Sequence, residues 1–255
     1  MDFCICVRIC DVREMPCGKE VETPCGHPFM PGSAPAIARA CGKEVEIPCG
    51  YPFMPCGKEV EMKKLERQLR FLLELDKQKE ITRQTYLADG SRKEGDAEHA
   101  WHMAVMVFLL ADYANEKIDV LKAVKMALLH DVVEIDAGDT YAYDTEGNKT
   151  KGERERKAAD RIYGMLPAEQ KEEYRVLWEE FEEGKTPEAK FVNTLDKVQP
   201  LLLNHASKGK SWKEHNIRQS QILERNKKTH EGSETLWEYC RKLIAENVES
   251  GTIIE

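Results

Sequence analysis

Long hydrophobic runs are missing from this sequence of 255 residues. The longest apolar stretch, residues 103–111, has about half the length that a membrane-spanning helix needs. The first ten residues, MDFCICVRIC, carry an acid at position 2 and lack both the basic segment and the long apolar segment of a secretory signal. These absences predict a cytoplasmic protein that makes no membrane contact.

An excess of positive charge is also missing, because 38 lysines and arginines stand against 46 aspartates and glutamates. The net charge of −8 gives no overall positive field that would attract nucleic acid. The 41% of hydrophobic residues is enough for a packed core. We therefore expect a globular protein whose partner is a small molecule and not a nucleic acid.

Cysteine is nearly absent after Met62, where Cys240 is the single example, whereas eight cysteines precede it. The cysteine-rich part repeats itself: residues 17–31 recur at 41–55 with two changes, and a third copy starts at Cys56. The repeats have unequal spacing and are rich in proline and glycine, which argues against stacked structural units. The repeated segment resembles a low-complexity extension.

The spacing of these cysteines bears on whether the segment could hold a metal. Seven residues separate the two cysteines of each full repeat and six separate Cys49 from Cys56, where zinc motifs have two to four. A thiolate metal site or a disulfide-linked module is the alternative interpretation. We interpret residues 1–61 as a disordered extension and residues 62–255 as one helical domain whose first helix begins near Met62.

Apolar residues recur with helical spacing through residues 62–255, beginning with a stripe of leucines at positions 65, 69, 72 and 73. The further predicted helices cover residues 97–115, 118–133, 153–165, 167–183, 189–206, 212–228 and 233–247. Thr186-Pro187-Glu188 is typical of a helix start. No alternating strand or hairpin pattern competes with these periods. The predicted fold class is all-α.

The pair His130-Asp131 follows the apolar residues 127–129, where burial of two polar groups without partners would be costly. A divalent cation would satisfy both, since neutral imidazole and carboxylate are its natural ligands. His99 and Asp196, on two other predicted helices, would complete the ligand set. Mixed nitrogen and oxygen ligation suits one ion of manganese, cobalt, iron, nickel or zinc.

Two further acids stand close to this pair in the sequence. Glu134 lies four residues after His130, so a continuing helix would present both on the same face. Asp139 lies in the following Ala-Gly-Asp-Thr loop. Because catalytic metal sites work with acid and base groups, Glu134 and Asp139 are the candidate general acid and base.

These motifs resemble those of HD-domain hydrolases: Glu98-His99, then His130-Asp131 with Glu134 and Asp139, then Leu195-Asp196-Lys197. The resemblance spans about residues 65–246 and is nearest to the 5′-deoxynucleotidase branch. It implies an HD-domain helical bundle, metal binding by the two histidines and two aspartates, and catalysis by Glu134 and Asp139.

The same resemblance implies that Arg83 holds the substrate phosphate, and a planar guanidinium suits that role. Characterised nucleotidases have a tryptophan at the next position, whereas this chain has Gln84, which leaves the preference for deoxyribose open. Lys149 and Lys151 could add positive charge toward the phosphate.

We therefore expect a metal-dependent phosphomonoesterase that acts on deoxynucleoside or nucleoside 5′-monophosphates. The alternatives are an HD hydrolase of another phosphoester, such as a cyclic nucleotide, an alarmone or a nucleoside triphosphate, and a non-catalytic module that senses nucleotides. A homodimer would be ordinary for a chain of this size.

Overall fold

The structure is a computed structural model, and it describes residues 36–40, 43–47 and 57–255. The chain divides into two compact units, Met1–Arg67 and Gln68–Glu255. The first unit contains an antiparallel hairpin of strand β1 (Ala36–Ala40) and strand β2 (Lys43–Ile47). Our predictions for the cysteines of the repeats lie outside the described residues, and the predicted boundary after residue 61 stays a prediction.

Helices make up most of the described chain, which confirms the predicted all-α class. The helices are α1 (Gly57–Leu75), α2 (Asp96–Leu110), α3 (Val120–Leu129), α4 (Glu134–Ala137), α5 (Gly147–Tyr163), α6 (Ala168–Glu183), α7 (Pro187–Ala206), α8 (Lys210–Glu214), α9 (Gln219–Arg225) and α10 (Glu234–Glu249). Among the residues described, no helix has the length and apolar character to cross a bilayer.

Three helices of the second unit form the frame of the site. Helix α2 packs against α3 and α7, and α3 also packs against α6 and α7. The apolar residues Met103, Val107, Met126 and Leu195 on these helices are almost completely buried at the contact. Burying a side chain of this kind contributes about 1.5–3 kcal/mol each, so the frame is held mainly by apolar packing.

A second short hairpin lies between α1 and α2. The prediction that this part of the chain contains no strand is therefore wrong. Strand β3 (Thr82–Tyr86) pairs antiparallel with strand β4 (Lys93–Gly95). The turn uses Gly90 at φ +71°, a left-handed conformation that glycine adopts without a steric penalty. The hydropathy pattern did not predict β3, because the one buried side chain of this strand is the charged Arg83.

The helix boundaries follow local signals in most places. Thr186 caps α7 as predicted, with its hydroxyl oxygen accepting a hydrogen bond from the backbone N–H of Ala189 at 3.3 Å. The predicted helix over residues 212–228 is divided into α8 and α9, and Asn216 in the connection has φ +52°. The first leucine stripe lies exposed on α1, whereas Phe71 on that helix is buried.

Candidate metal centre

The four predicted metal ligands meet although they come from three separate elements. His99 lies on α2, Asp196 on α7, and His130-Asp131 directly follow α3. His99 Nε2 lies 3.3 Å from Asp196 Oδ1 and 3.8 Å from Asp131 Oδ2. His130 Nε2 lies 3.0 Å from Asp131 Oδ2 and 4.0 Å from Asp196 Oδ1. Each of the two imidazole nitrogens therefore lies within 4.0 Å of both aspartates. His99, His130 and Asp196 form one compact group of candidate ligands, and Asp131 also belongs to an adjoining group with Asp96 and Glu134.

Hydrogen bonds on the far side of each ring determine which nitrogen faces the aspartates. His130 Nδ1 lies 2.9 Å from the carbonyl oxygen of Ala127, and His99 Nδ1 lies 3.1 Å from Gln199 Oε1. Because these oxygens only accept hydrogen bonds, each Nδ1 carries a hydrogen. Both Nε2 atoms are buried and have no hydrogen-bond partner. Each presents a lone pair toward the aspartates when its ring is neutral, as a metal ligand must.

The charges of these residues also favour a cation. Although burial opposes it, the Asp131 carboxylate raises the pKa of His130 to about 9, so a proton is held between the two groups. Despite its burial, Asp131 has a lowered pKa because His130 and Arg83 stabilise its charge. Burial lowers the pKa of His99 to about 4, so this ring is neutral at physiological pH. A divalent cation would replace the proton on His130, and the donor set fits one.

Asp196 lies where the helix ladder of α7 is interrupted. Pro200, four residues later and inside the helix, has no N–H with which to bond the Asp196 carbonyl. Despite its burial, the pKa of Asp196 is held well below its ordinary value by His99, 3.3 Å away, and by the charges of Arg225 and His130. This residue therefore stays ionised at neutral pH.

Glu134 and Asp139 lie beside the four ligands, as the sequence predicted, but not on one continuous helix. Helix α3 ends at Leu129, and Glu134 begins the short α4 after a turn in which its N–H bonds the Asp131 carbonyl at 2.9 Å. Glu134 is buried and its Oε2 has no hydrogen-bond partner. Burial and the Asp131 carboxylate raise its pKa well above the ordinary value. Burial raises the pKa of Asp139 as well, while Arg83 acts against that rise.

Arg83 is surrounded by carboxylates. Its Nη1 donates to Asp131 Oδ2 at 2.9 Å and to Asp96 Oδ1 at 3.3 Å. Its Nε lies 3.7 Å from Glu94 Oε2. Although burial opposes it, these and nearby carboxylates raise the pKa of Arg83. The guanidinium lines the cavity described below, and its predicted contact with a phosphate stays a prediction.

Three buried polar residues around the site were missed by the sequence analysis. Asp96 accepts a hydrogen bond from Gln78 Nε2 at 2.8 Å, and burial together with Asp131 raises its pKa to about 8. Glu94 accepts from Gln199 Nε2 at 2.6 Å, and burial raises its pKa to about 7. Gln199 lies three residues after Asp196, on the same face of α7. That spacing was the available signal for Gln199.

A cavity of about 270 Å³ opens next to these residues. Arg83, Glu134 and Asp139 line it, and so do Gln84 and Lys151, whereas Lys149 instead pairs with Glu146 at the surface. It is also lined by aromatic and cationic side chains, namely Tyr141, Tyr143, Trp212, Lys197 and Arg225. The cavity thus combines acidic, aromatic and basic groups.

Gln199 offers a test of the imidazole orientation. Gln199→Leu removes the acceptor for His99 Nδ1–H, so we expect about 10–100-fold weaker Mn²⁺ binding, the usual effect of losing a partner behind a metal ligand. ¹⁵N NMR of the imidazoles should show His99 as a mixture of tautomers. The control is Gln170→Leu, which removes a hydrogen bond between Gln170 on α6 and Gln68 on α1. Unchanged Mn²⁺ affinity and a single His99 tautomer in Gln199→Leu would contradict this role.

Comparison with known proteins gives one family and several relatives. A sequence model of the HD domain matches residues 75–237. The crystal structure of a predicted metal-dependent phosphohydrolase from Magnetospirillum magnetotacticum MS-1 is 44% identical, with a TM-score of 0.74 over 76% of this chain and 98% of that one.

Two curated relatives are named 5′-deoxynucleotidases. The human HDDC2 protein is 34% identical over 44% of this chain and 53% of its own length. The hdd1 protein of Schizosaccharomyces pombe is 31% identical over 51% of this chain and 67% of its own length. The chain spans about half the length of the human relative. The resemblance seen in the motifs is confirmed, and this chain belongs to the HD domain family.

Proposed function

We propose that this chain is a divalent-metal-dependent phosphomonoesterase that converts deoxynucleoside or nucleoside 5′-monophosphates to the nucleoside and phosphate. One observation carries the proposal: two buried Nε2 lone pairs and two carboxylates converge beside Glu134, a carboxyl group with a strongly raised pKa, at the wall of a cavity. The names of the curated relatives support the substrate class.

His99, His130, Asp131 and Asp196 would hold the ion. When bound, a divalent cation supplies Lewis-acid polarisation of a phosphoryl oxygen and lowers the pKa of water. Arg83 would contact a phosphate oxygen through Nη2, because its two hydrogen bonds to carboxylates use Nη1. Its five fixed donors suit a phosphate better than a single ammonium does.

Glu134 and Asp139 would divide the proton transfers. The raised pKa of Glu134 keeps a proton on its carboxyl, which it would donate to the 5′-oxygen as the bond from phosphorus to that oxygen breaks. Asp139 would accept the proton of the attacking water, since Arg83, Lys151 and Arg225 favour its ionised form. After phosphate leaves, a proton moves from Asp139 to Glu134 through solvent and restores both groups.

The aromatic part of the cavity supports a nucleoside as the remainder of the substrate. The rings of Tyr141 and Tyr143 lie 5.3 Å apart, and Trp212 lines the same cavity. Aromatic faces bind planar bases by stacking, with little dependence on which base is present. We expect Gln84, which lines the same cavity, to be the residue that determines the preference between ribose and deoxyribose. The cytoplasmic location and the homodimer stay predictions.

A panel of phosphoesters tests the proposal. The chain is stripped with a chelator, reloaded with Mn²⁺ or Co²⁺, and offered 5′- and 3′-deoxynucleoside monophosphates, ribonucleotides, a cyclic nucleotide and a triphosphate. We expect metal-dependent phosphate release from the 5′-monophosphates, at least about tenfold faster than from the 3′ isomers. Hydrolysis of the cyclic or triphosphate compounds alone would favour another HD hydrolase, and binding without any hydrolysis would favour a sensing module.

A further inference from the structure

Besides Arg83, three cationic side chains line the cavity. They are contributed by different helices: Lys151 by α5, Lys197 by α7 and Arg225 by the last turn of α9. The proposed reaction brings a dianionic phosphate into a cavity that six carboxyl groups already line, those of Asp131, Glu134, Asp139, Glu155, Glu182 and Asp196. How the phosphate binds depends on which of these cations still has charge and hydrogen-bond donors available for it.

Much of the Arg83 charge is already compensated, because its guanidinium donates to the ionised Asp131 at 2.9 Å and two further carboxyl groups lie within 3.7 Å. The two lysines are also engaged. Lys151 Nζ lies 3.4 Å from Glu155 Oε1, and Lys197 Nζ donates to the backbone carbonyl of Asn193 at 3.0 Å.

Arg225 differs from these three groups. It is half-buried, it lines the cavity, and within the part of the chain that the structure describes its side chain makes no hydrogen bond or ion pair. Its backbone is well fixed, since the next residue, Asn226, is buried and donates from Nδ2 to the Ile222 carbonyl at 2.8 Å. Arg225 lines the same cavity as Asp139 and Asp196, so its guanidinium lies at the proposed reaction site.

We propose that Arg225 binds the phosphate of the substrate and the phosphate product, with Lys197 as a second contact. The proposal rests on the proposed function for the identity of the substrate. Arg225 would donate two parallel N–H groups to two phosphate oxygens, the geometry for which guanidinium is suited. Arg83, held by Asp131 and Asp96 through Nη1, would keep its single phosphate contact through Nη2 and would also position Asp131.

The test compares Arg225→Gln and Arg225→Lys with Arg241→Gln, which removes an exposed arginine of α10 that does not line the cavity. Inorganic phosphate binding to the metal-loaded chain is measured by calorimetry, together with metal content, thermal unfolding, KM and kcat for a 5′-monophosphate. Hydrogen bonds to charged groups contribute about 1.5–3 kcal/mol, so we expect roughly 10–100-fold weaker phosphate binding and a similar rise in KM for Arg225→Gln.

Arg225→Lys should lie between wild type and Arg225→Gln, because it keeps the charge but not the paired donors. Both Arg225 variants should keep the metal content of wild type, and in both kcat should change less than KM. The control Arg241→Gln should match wild type in phosphate affinity, KM and kcat. If phosphate affinity of both Arg225 variants stays within about twofold of Arg241→Gln, the proposal is wrong, and Arg225 is only a cation at a helix C-terminus.

Phosphate binding measured by calorimetry does not depend on turnover, so it tests the Arg225 proposal independently of the proposed function. Phosphate binding that depends on Arg225 in a chain that hydrolyses no monophosphate would support the phosphate site and refute the phosphomonoesterase. Hydrolysis that is indifferent to both Arg225 variants would support the phosphomonoesterase and refute the phosphate site. A wild-type chain that binds no phosphate at millimolar concentration would overturn the Arg225 proposal directly.

Discussion

Asp131→Asn is expected to lose both the bound metal and phosphoester hydrolysis. Asp131 connects three groups of the site: its Oδ2 lies within 3.8 Å of His99 Nε2, His130 Nε2 and Arg83 Nη1. A catalytic metal supplies several kcal/mol of transition-state stabilisation, so we expect turnover to fall roughly 10³-fold or more. Elemental analysis and phosphate release measure the two losses.

The fold should survive this substitution. Asp131 stabilises His130 and Arg83, but it also raises the pKa of Asp96 and Glu134 by repulsion, so its removal has opposing effects on the metal-free chain. Metal-free wild type and Asp131→Asn should therefore unfold at similar urea concentrations. Asp112→Asn, at an exposed acid after α2, is the matched control. Full metal content together with undiminished hydrolysis in Asp131→Asn would refute the assignment of the site.

Glu134→Gln is expected to keep the metal and to lower kcat by about 10²–10⁴-fold, the usual contribution of a positioned general acid. Glutamine has nearly the same shape but cannot donate and regain the proton. The alkaline limb of the pH profile, which reports loss of that proton from Glu134, should disappear in the variant. Glu172→Gln, at an exposed position on α6, is the control.

The raised pKa of Glu134 also predicts a change in stability of the metal-free chain. A carboxyl group whose pKa is higher in the folded state lowers stability as pH rises through the unfolded and then the folded pKa. Glu134→Gln removes this loss, so its advantage over wild type in urea unfolding should be larger at pH 8 than at pH 5. A pH-independent difference, or an unchanged kcat, would show that Glu134 does not carry the proton.

The sequence predicted the parts of the site that consist of metal-binding residue types at recognisable spacing. His130 and Asp131 were found because a polar pair directly after an apolar run needs a partner. His99 and Asp196 were found because they complete the ligand set and match the HD-domain motifs. Their convergence is a matter of tertiary packing between α2, α3 and α7, and it agrees with the prediction.

Other parts could not be predicted from local pattern. Strand β3 carries Arg83 inward, and no hydropathy pattern predicts a buried arginine. Glu94 and Gln199 meet His99 only because β4 and α7 fold against α2, so their role depends on distant contacts. Arg225 looked like part of an ordinary amphipathic helix, and its importance follows from the cavity that it lines and the partner that it lacks among the described residues.

The most direct test of the account is the metal stoichiometry of the chain and of single variants at the four ligands. Cobalt is suitable because thiolate ligation has its own charge-transfer absorption, which separates binding by the cysteines of residues 1–61 from binding by imidazole and carboxylate. The account predicts one equivalent of Co²⁺ without a thiolate band in wild type and in Asp112→Asn, and loss of that equivalent in His99→Ala, His130→Ala, Asp131→Asn and Asp196→Asn. Retention of a full equivalent in those four variants, or a thiolate band in wild type, would contradict it.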